Sequence, residues 1–102
     1  MKARLDRCFS WWVRLRESDD EGMVTCFTCG KREHWTKVDA GHFMSRVYTS
    51  TRWVPTNVKP QCKACNIRSG EQYLFALELD KHYGPGTAHM LYTQSRNKDT
   101  YF

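Results

Sequence analysis

The sequence predicts a single small α+β domain held together by a zinc ion. The chain has 102 residues, a length typical of one domain. The core of such a domain is small, so a structural metal or another cross-link would stabilise it. Four of its five cysteines form two C-x-x-C pairs, and helical patterns flank these pairs. We expect one domain over 1–102, with an N-terminal helix over 1–18, a zinc core over 23–68, helices over 69–97 and a tail over 98–102.

The first helix is predicted over 3–16 by an apolar stripe at helical spacing. The stripe residues are Leu5, Phe9, Trp12, Val13 and Arg16, with Cys8 adjoining them. Trp11 and Leu15 widen the stripe, which favours burial against the core over a partner helix or a dimer contact. Cys8 is therefore expected to be a small buried hydrophobe.

Short strands and turns are predicted between the cysteine pairs. A strand from Met23 leads into the first pair, and Gly30 gives the turn there its backbone freedom. Residues 38–46 alternate well enough for a second strand. A further extended segment is predicted over 52–54, where Pro55 ends it.

The cysteine pairs predict a structural zinc site. Each C-x-x-C pair offers two thiolates on one turn, and two matched pairs favour a metal over a redox dithiol. The expected ligands are Cys26, Cys29, Cys62 and Cys65. Four thiolates leave no coordination position for water, so this zinc should not take part in chemistry.

Two helices are predicted after the second pair. Ser69 and Gln72 have the spacing of a capping box, and an apolar face is expected from Tyr73, Leu74 and Leu77. The segment 84–86, with two glycines and a proline, should end this helix. Thr87 can cap a last short helix.

Composition and charge favour an anionic partner. The chain is 40% apolar and carries a formal charge of +5, a surplus too modest to prove nucleic-acid binding by itself. The basic residues near the centre of the chain are Arg46, Arg52, Lys59, Lys63 and Arg68. Neither a membrane-spanning run nor the apolar core of a signal peptide is present, so an intracellular protein without a membrane partner is expected.

Polar residues between the cysteine pairs could form a reaction centre for phosphodiester hydrolysis. Such a reaction needs a water nucleophile, a base and a cation. His42 suits the base, whereas Asp39 and Asn66 offer the oxygen ligands that Mg²⁺ or Mn²⁺ takes. Asn57 is better placed to brace the loop that orients His42.

Two arginines are candidates for holding the phosphate. Arg46 follows His42 closely and is the better candidate, and Arg52 is the second. The alternative is solvated surface charge. Trp35 and Trp53 are expected to pack rather than to stack on bases.

These motifs carry a family resemblance. The order C-x-x-C, Asp/His, Asn, C-x-x-C-Asn resembles the zinc-containing HNH (ββα-metal) nucleases, and its ending is similar to that of phage recombination endonuclease VII. A closer resemblance, to the NinG/Rap recombination proteins of lambdoid phages, covers about residues 3–97. It rests on Phe9-Ser10-x-x-Val13-Arg14-Leu15-Arg16, Cys26-x-Thr28-Cys29-Gly30, Asp39-Ala40-Gly41-His42-Phe43-x-Ser45-Arg46, Thr51-Arg52-Trp53, Asn57-Val58, Gln61-Cys62-x-x-Cys65-Asn66 and Tyr83-Gly84.

The resemblance implies a treble-clef-like ββα-metal core and a metal-dependent endonuclease that cuts branched DNA, such as Holliday junctions and D-loops. It also implies that His42 is the base, that Asp39 and Asn66 are metal ligands and that Asn57 braces the site. One departure concerns Gly41, because the common HNH pattern has an acid there. Residues three apart on a regular strand point to opposite faces, so a bulge or turn at Ala40–Gly41 is expected.

Three other functions fit parts of the sequence. A non-catalytic zinc module that binds nucleic acid would explain the cysteines and the charge, but not Asp39, His42 and Asn66. An HNH enzyme that nicks ordinary duplex DNA would differ only in substrate. A protein-interaction adaptor would use the broad Trp11/Trp12 helix. A homodimer is a reasonable state for cutting a two-fold junction.

Overall fold

Helices pack around two short antiparallel β-hairpins in the computed structural model, which describes residues 1–97. The tail predicted over 98–102 lies outside the described residues. The helices are α1 (Lys2–Arg16), α2 (Thr49–Arg52), α3 (Lys63–Ile67), α4 (Gln72–Tyr83) and α5 (Thr87–Ser95). The strands are β1 (Met23–Thr25), β2 (Arg32–His34), β3 (Asp39–His42) and β4 (Val58–Gln61). The domain is thus a small α+β fold.

The hairpin of β3 and β4 is regular along its whole length. Asp39 pairs with Gln61 and His42 with Val58, without an extra residue on either strand. The predicted bulge at Ala40–Gly41 is therefore wrong. Gly41 has a different purpose: a Cβ at this position would lie 1.8 Å from Gln61 Oε1. The glycine is required because a side chain from the opposite strand fills its space.

The partner of β3 lies later in the chain than predicted. Residues 49–52 form α2, so the extended segment predicted over 52–54 is wrong, and β4 takes its place in the hairpin. Pro60 lies within β4 opposite Ala40. A two-stranded sheet has only edge strands, and an edge tolerates a residue without an N–H group. The Pro60 carbonyl accepts a hydrogen bond from the Phe27 N–H at 2.9 Å.

The main apolar core lies between the β3–α2 connection and helices α4 and α5. It consists of Phe43, Phe75, Leu79 and Leu91. The Phe43 and Phe75 rings are 5.4 Å apart in a tilted arrangement, a geometry that aromatic pairs favour. The core therefore joins the loop after β3 to the C-terminal helices.

The predicted buried face of α4 is wrong. Tyr73, Leu74 and Leu77 are exposed, whereas Phe75 and Leu79 are buried. The predicted capping box is also not formed, because Ser69–Glu71 is a 3-10 turn and α4 begins at Gln72 without a side-chain cap. The backbone before α4 turns through positive φ at Ser69 and Glu71, so the helix begins later than the capping-box pattern predicts.

Helix α1 lies largely on the surface, contrary to the expectation of core packing. Val13 is its buried residue, and the exposed apolar side chains are Leu5, Trp11, Trp12 and Leu15. Cys8, expected to be buried, is exposed. Polar contacts hold the helix instead: Arg14 donates to the Trp35 and Val38 carbonyls at 3.3 and 3.4 Å.

Candidate metal centre and active-site cleft

The four predicted cysteines come together in one cluster. The Sγ atoms of Cys26, Cys29, Cys62 and Cys65 all lie within 4.8 Å of one another, and those of Cys29 and Cys62 are 3.7 Å apart. Tetrahedral zinc with Zn–S bonds of about 2.3 Å separates its sulfurs by about 3.8 Å. The cluster can therefore hold a structural metal such as zinc.

Local structure places each thiol pair. The turn after β1 is closed by hydrogen bonds from the Cys26 N–H to the Lys31 carbonyl at 2.7 Å and from the Gly30 N–H to the Cys26 carbonyl at 3.0 Å. Gly30 adopts φ of +82°, which favours glycine. Cys62 immediately precedes α3 and Cys65 lies within it. A metal on this cluster would therefore tie the first hairpin to α3.

The thiols differ in how readily they ionise. Burial opposes ionisation of Cys26, but hydrogen bonds from the Thr28 hydroxyl and from the Cys62, Cys29 and Thr28 backbones outweigh it and lower its pKa to about 6. Burial, together with the neighbouring cysteines, raises the pKa of Cys65 to about 12. Crowded thiols cannot all ionise unless a cation balances their charge. This donor chemistry fits a divalent metal.

A cleft of about 710 Å³ lies beside this cluster, lined by residues from α1, β3, the loop after β3 and α3. It brings together four of the predicted site residues, namely Asp39, His42, Arg46 and Asn66. Asp39 and His42 therefore reach the same cleft although the strand β3 is regular.

His42 is half-buried at the end of β3. Its Nε2 lies 3.0 Å from the Arg52 carbonyl oxygen, which can only accept, so Nε2 carries the hydrogen. Nδ1 of the neutral ring then keeps its lone pair. Burial lowers the pKa of His42, against the opposing effects of the Arg52 and Ala40 carbonyls. The ring is thus held as a neutral base at neutral pH.

Asp39 and Asn66 meet directly in the cleft. The Asn66 amide Nδ2 donates to Asp39 Oδ2 at 3.1 Å, and Lys63 Nζ lies 2.8 Å from Asp39 Oδ1. One carboxylate and one amide side by side form a donor set of the type that binds Mg²⁺ or Mn²⁺. Rotation of the amide would present its oxygen in place of its nitrogen.

Asn57 does not line the cleft but lies buried behind it. Its Oδ1 accepts from the Met44 N–H at 2.8 Å, and its Nδ2 donates to the Met44 and Thr51 carbonyls at 3.1 and 3.0 Å. These bonds hold the loop between β3 and α2, which carries Arg46. Asn57 is therefore a structural support of the cleft wall.

Asp6 is a cleft residue that the sequence analysis missed. Its carboxylate accepts from both Arg52 and Trp53 Nε1, the latter at 3.0 Å, and Arg46 lies 3.6 Å from its Oδ2. The hydrogen bond from Arg52 holds the pKa of Asp6 below its ordinary value. One signal was available: Asp6 is the sole acidic residue of a helix rich in arginine.

The two predicted phosphate contacts differ in the structure. Arg46 is exposed at the cleft with a long contact to Asp6, whereas Arg52 is engaged by Asp6 and by the Arg46 carbonyl, the latter at 3.1 Å. Lys59, also basic, is buried with its Nζ against the Tyr83 hydroxyl. Arg46 is therefore the more available cation.

The fold and the two sites define a small α+β domain in which a four-cysteine cluster that could bind a metal lies next to a cleft with a histidine, a carboxylate and an amide. The chain belongs to the family described as the bacteriophage lambda NinG protein, whose profile matches residues 1–101. Comparison with curated proteins and with solved structures gave no significant match. Within residues 1–97, no helix is long and apolar enough to cross a membrane.

Proposed function

We propose that this protein is a divalent-metal-dependent DNA endonuclease that hydrolyses phosphodiester bonds in branched recombination intermediates. In this proposal β3, β4 and α3 form an HNH-like ββα-metal unit, and the cysteine cluster binds zinc for structure only. The observation that carries the proposal is the state of His42. Its Nε2 is bonded to the Arg52 carbonyl at 3.0 Å, so that a basic Nδ1 lies on a residue that lines the cleft.

His42 acts as the general base. The Arg52 carbonyl fixes the tautomer and burial keeps the ring neutral, so Nδ1 is the nitrogen that would take a proton from water. A surface histidine would lack both restraints. His34 and His82 are bonded elsewhere, to Thr36 and Glu78, and neither lines this cleft.

Asp39 and Asn66 would hold the catalytic Mg²⁺ or Mn²⁺. When bound, such a cation supplies positive charge for the phosphate and for the leaving oxygen. Asn66 directly follows Cys65 in α3, so the zinc cluster sets its position relative to β3. Lys63, now paired with Asp39, can swing away because its side chain is largely exposed.

Arg46 would hold the scissile phosphate. Asp6 lies near enough to orient its guanidinium, yet the 3.6 Å contact leaves most of its donors unused. Arg52 supports the site from behind, since its carbonyl fixes His42 and its side chain anchors α1. The preference for branched DNA is inferred from the NinG/Rap resemblance. A dimer would supply two active sites, one for each of the two cuts that a two-fold junction needs.

The test compares a synthetic four-way junction with a linear duplex of the same sequence, each with Mg²⁺ or Mn²⁺. The expected result is paired cuts in the junction and little cleavage of the duplex. His42→Ala should lower the rate by a factor of about 10² to 10⁴, the typical contribution of a general base. His89→Ala is the matched control, because His89 is an exposed histidine on α5 that does not line the cleft.

Three other results would contradict parts of this proposal. Full activity in His42→Ala would rule out this mechanism. Equal cleavage of duplex and junction would favour a nicking enzyme for ordinary DNA. Binding of both DNAs without cleavage under either metal would favour a non-catalytic nucleic-acid module.

A further inference from the structure

Arg96 lies between the cleft and a neighbouring depression, and it has no role in the proposed mechanism. It follows α5, and with Tyr48 it lines both the cleft and a neighbouring depression of about 320 Å³. The depression is formed by residues 47–50 and 95–97. A strand that leaves the cleft in this direction must therefore pass over Arg96 and Tyr48.

Two aromatic rings hold the Arg96 side chain. Its guanidinium carbon lies 4.2 Å from the centre of the Tyr48 ring and 4.4 Å from that of Tyr92. A stacked guanidinium uses its face for the rings, whereas its N–H donors lie in its plane. One donor reaches Ser95 Oγ at 3.1 Å. The side chain is thus ordered in advance while donors remain for an anion.

The charge around Arg96 also fits a phosphate. Arg46 lines the same cleft and adds a second positive charge. The two carboxylates that line the cleft are already paired, Asp6 with Arg52 and Asp39 with Lys63. An arginine that is held by aromatic rings loses less side-chain entropy on binding than a free one. This preorganisation distinguishes Arg96 from ordinary surface charge.

We propose that Arg96 binds a backbone phosphate of the nucleic-acid strand next to the scissile one, and that Tyr48 and Tyr92 position its guanidinium. The inference rests on the proposed function in one respect, because it takes the ligand of the cleft to be nucleic acid. It extends the binding site from the cleft into the depression beside Ser50 and Ser95. Arg96 is a binding residue, and the two tyrosines are positioning residues.

Binding measurements test this proposal without any cleavage step. The parent protein for these measurements is the His42→Ala variant. Fluorescence anisotropy with labelled junction or duplex DNA, without added divalent metal, gives its affinity at several salt concentrations. The salt slope is the slope of log affinity against log salt concentration. Adding Arg96→Gln should weaken binding to both DNAs about fivefold to tenfold and reduce the salt slope by about 1, as expected for one lost phosphate contact. Arg96→Lys should keep the slope, and Tyr92→Leu should weaken binding with the slope unchanged.

Arg16→Gln is the matched control. Arg16 also stacks on an aromatic ring, with its guanidinium 4.4 Å from the centre of the Trp12 ring, but it lines neither the cleft nor the depression. Its loss should leave the slope unchanged. Thermal unfolding followed by circular dichroism shows that each variant is folded.

The proposal is overturned if Arg96→Gln retains the parent slope, if Arg16→Gln lowers the slope equally, or if the parent protein binds neither DNA. The proposal for Arg96 stands if Arg96→Gln weakens DNA binding and lowers the salt slope, even if the protein cleaves neither DNA with any metal. In that case only the proposed catalytic function fails.

Discussion

The chemistry proposed for His42 depends on two features of its surroundings. The Arg52 carbonyl determines which ring nitrogen carries hydrogen, and burial determines the charge of the ring. Asn66 and Asp39 meet only because α3 and β3 come together there. Residue types were therefore sufficient to nominate the site, but the tautomer follows from a backbone contact that no motif encodes.

The pH dependence of cleavage follows from the His42 environment. Burial lowers the pKa of His42 from its ordinary value of 6.5, so most of the base is still neutral at pH 6.5. Cleavage at saturating DNA should therefore fall only as the pH drops below 6.5, with a limb governed by one proton. Rates measured across this range provide the check, and a limb that persists in His42→Ala would assign the titration to another group.

Gly41 offers a second prediction at the scale of single residues. A Cβ in Gly41→Ala would lie 1.8 Å from Gln61 Oε1, and Gln61 is fully buried. The variant should lose about 2–4 kcal/mol of unfolding free energy, because a packed core cannot absorb such an overlap. Urea unfolding measures this loss.

The double variant Gly41→Ala/Gln61→Ala identifies the cause of that loss. Shortening Gln61 removes the overlapping atoms, so the double variant should be more stable than the sum of the single effects by about 1–2 kcal/mol. Simple additivity would show that the glycine is needed for another reason, such as backbone freedom.

At the scale of elements, one ion-pair cluster fixes α1 to the cleft. Asp6 receives hydrogen bonds from Arg52 and Trp53, while most of the apolar face of α1 is exposed. Asp6→Asn should therefore cost about 1–3 kcal/mol, as expected for hydrogen bonds to a charged group that is mostly buried. Hydrogen exchange should speed up in α1 more than in α4. Asp20→Asn, at an exposed position of the turn after α1, is the control.

The same carboxylate makes stability depend on pH with a definite sign. Its folded pKa is lowered from 3.8, so its stabilising effect is complete above that value and is lost as the pH falls through the folded pKa. Asp6→Asn should remove this part of the acid dependence. A difference between the two proteins that stays constant through the acid range would contradict this assignment.

Some elements could be predicted from the sequence and others could not. Helices α1, α4 and α5 have clear starts or stops, such as the segment 84–86, and they lie close to their predicted positions. The buried face of α4 could not be predicted, because the exposed Tyr73, Leu74 and Leu77 are as apolar as the buried Phe75 and Leu79. The strand β4 was missed because Pro60 is a poor strand residue unless both strands are edges.

The candidate site was more predictable than the fold around it. The cysteines, His42 and Asn66 lie in local motifs, so their spacing carries the information. Asp6 and Arg96 come from opposite ends of the described chain, and only tertiary packing brings them to the cleft. Long-range contacts of this kind leave no local pattern.

At the scale of the whole molecule, α3 links the cysteine cluster to the cleft. Cys65 and Asn66 are neighbours in this helix, and Cys62 follows β4 directly. The first cysteine turn also contacts the apolar core, because the ring of Phe27, which follows Cys26, lies 5.2 Å from that of Phe75. A metal in the cysteine cluster would therefore tie the first hairpin to α3 and so help to position Asn66 in the cleft.

Loss of this metal should thus unfold the first hairpin and α3 and, with them, disassemble the cleft. Cys65→Ser should lower bound zinc from one ion per chain to well below it and should cost several kcal/mol, since folding of small domains is coupled to metal binding. Metal analysis and thermal unfolding measure the two effects. Cys8→Ser is the matched control, because Cys8 is exposed on α1 and outside the cluster. A Cys65→Ser protein as stable as the parent would show that the cluster does not depend on a metal.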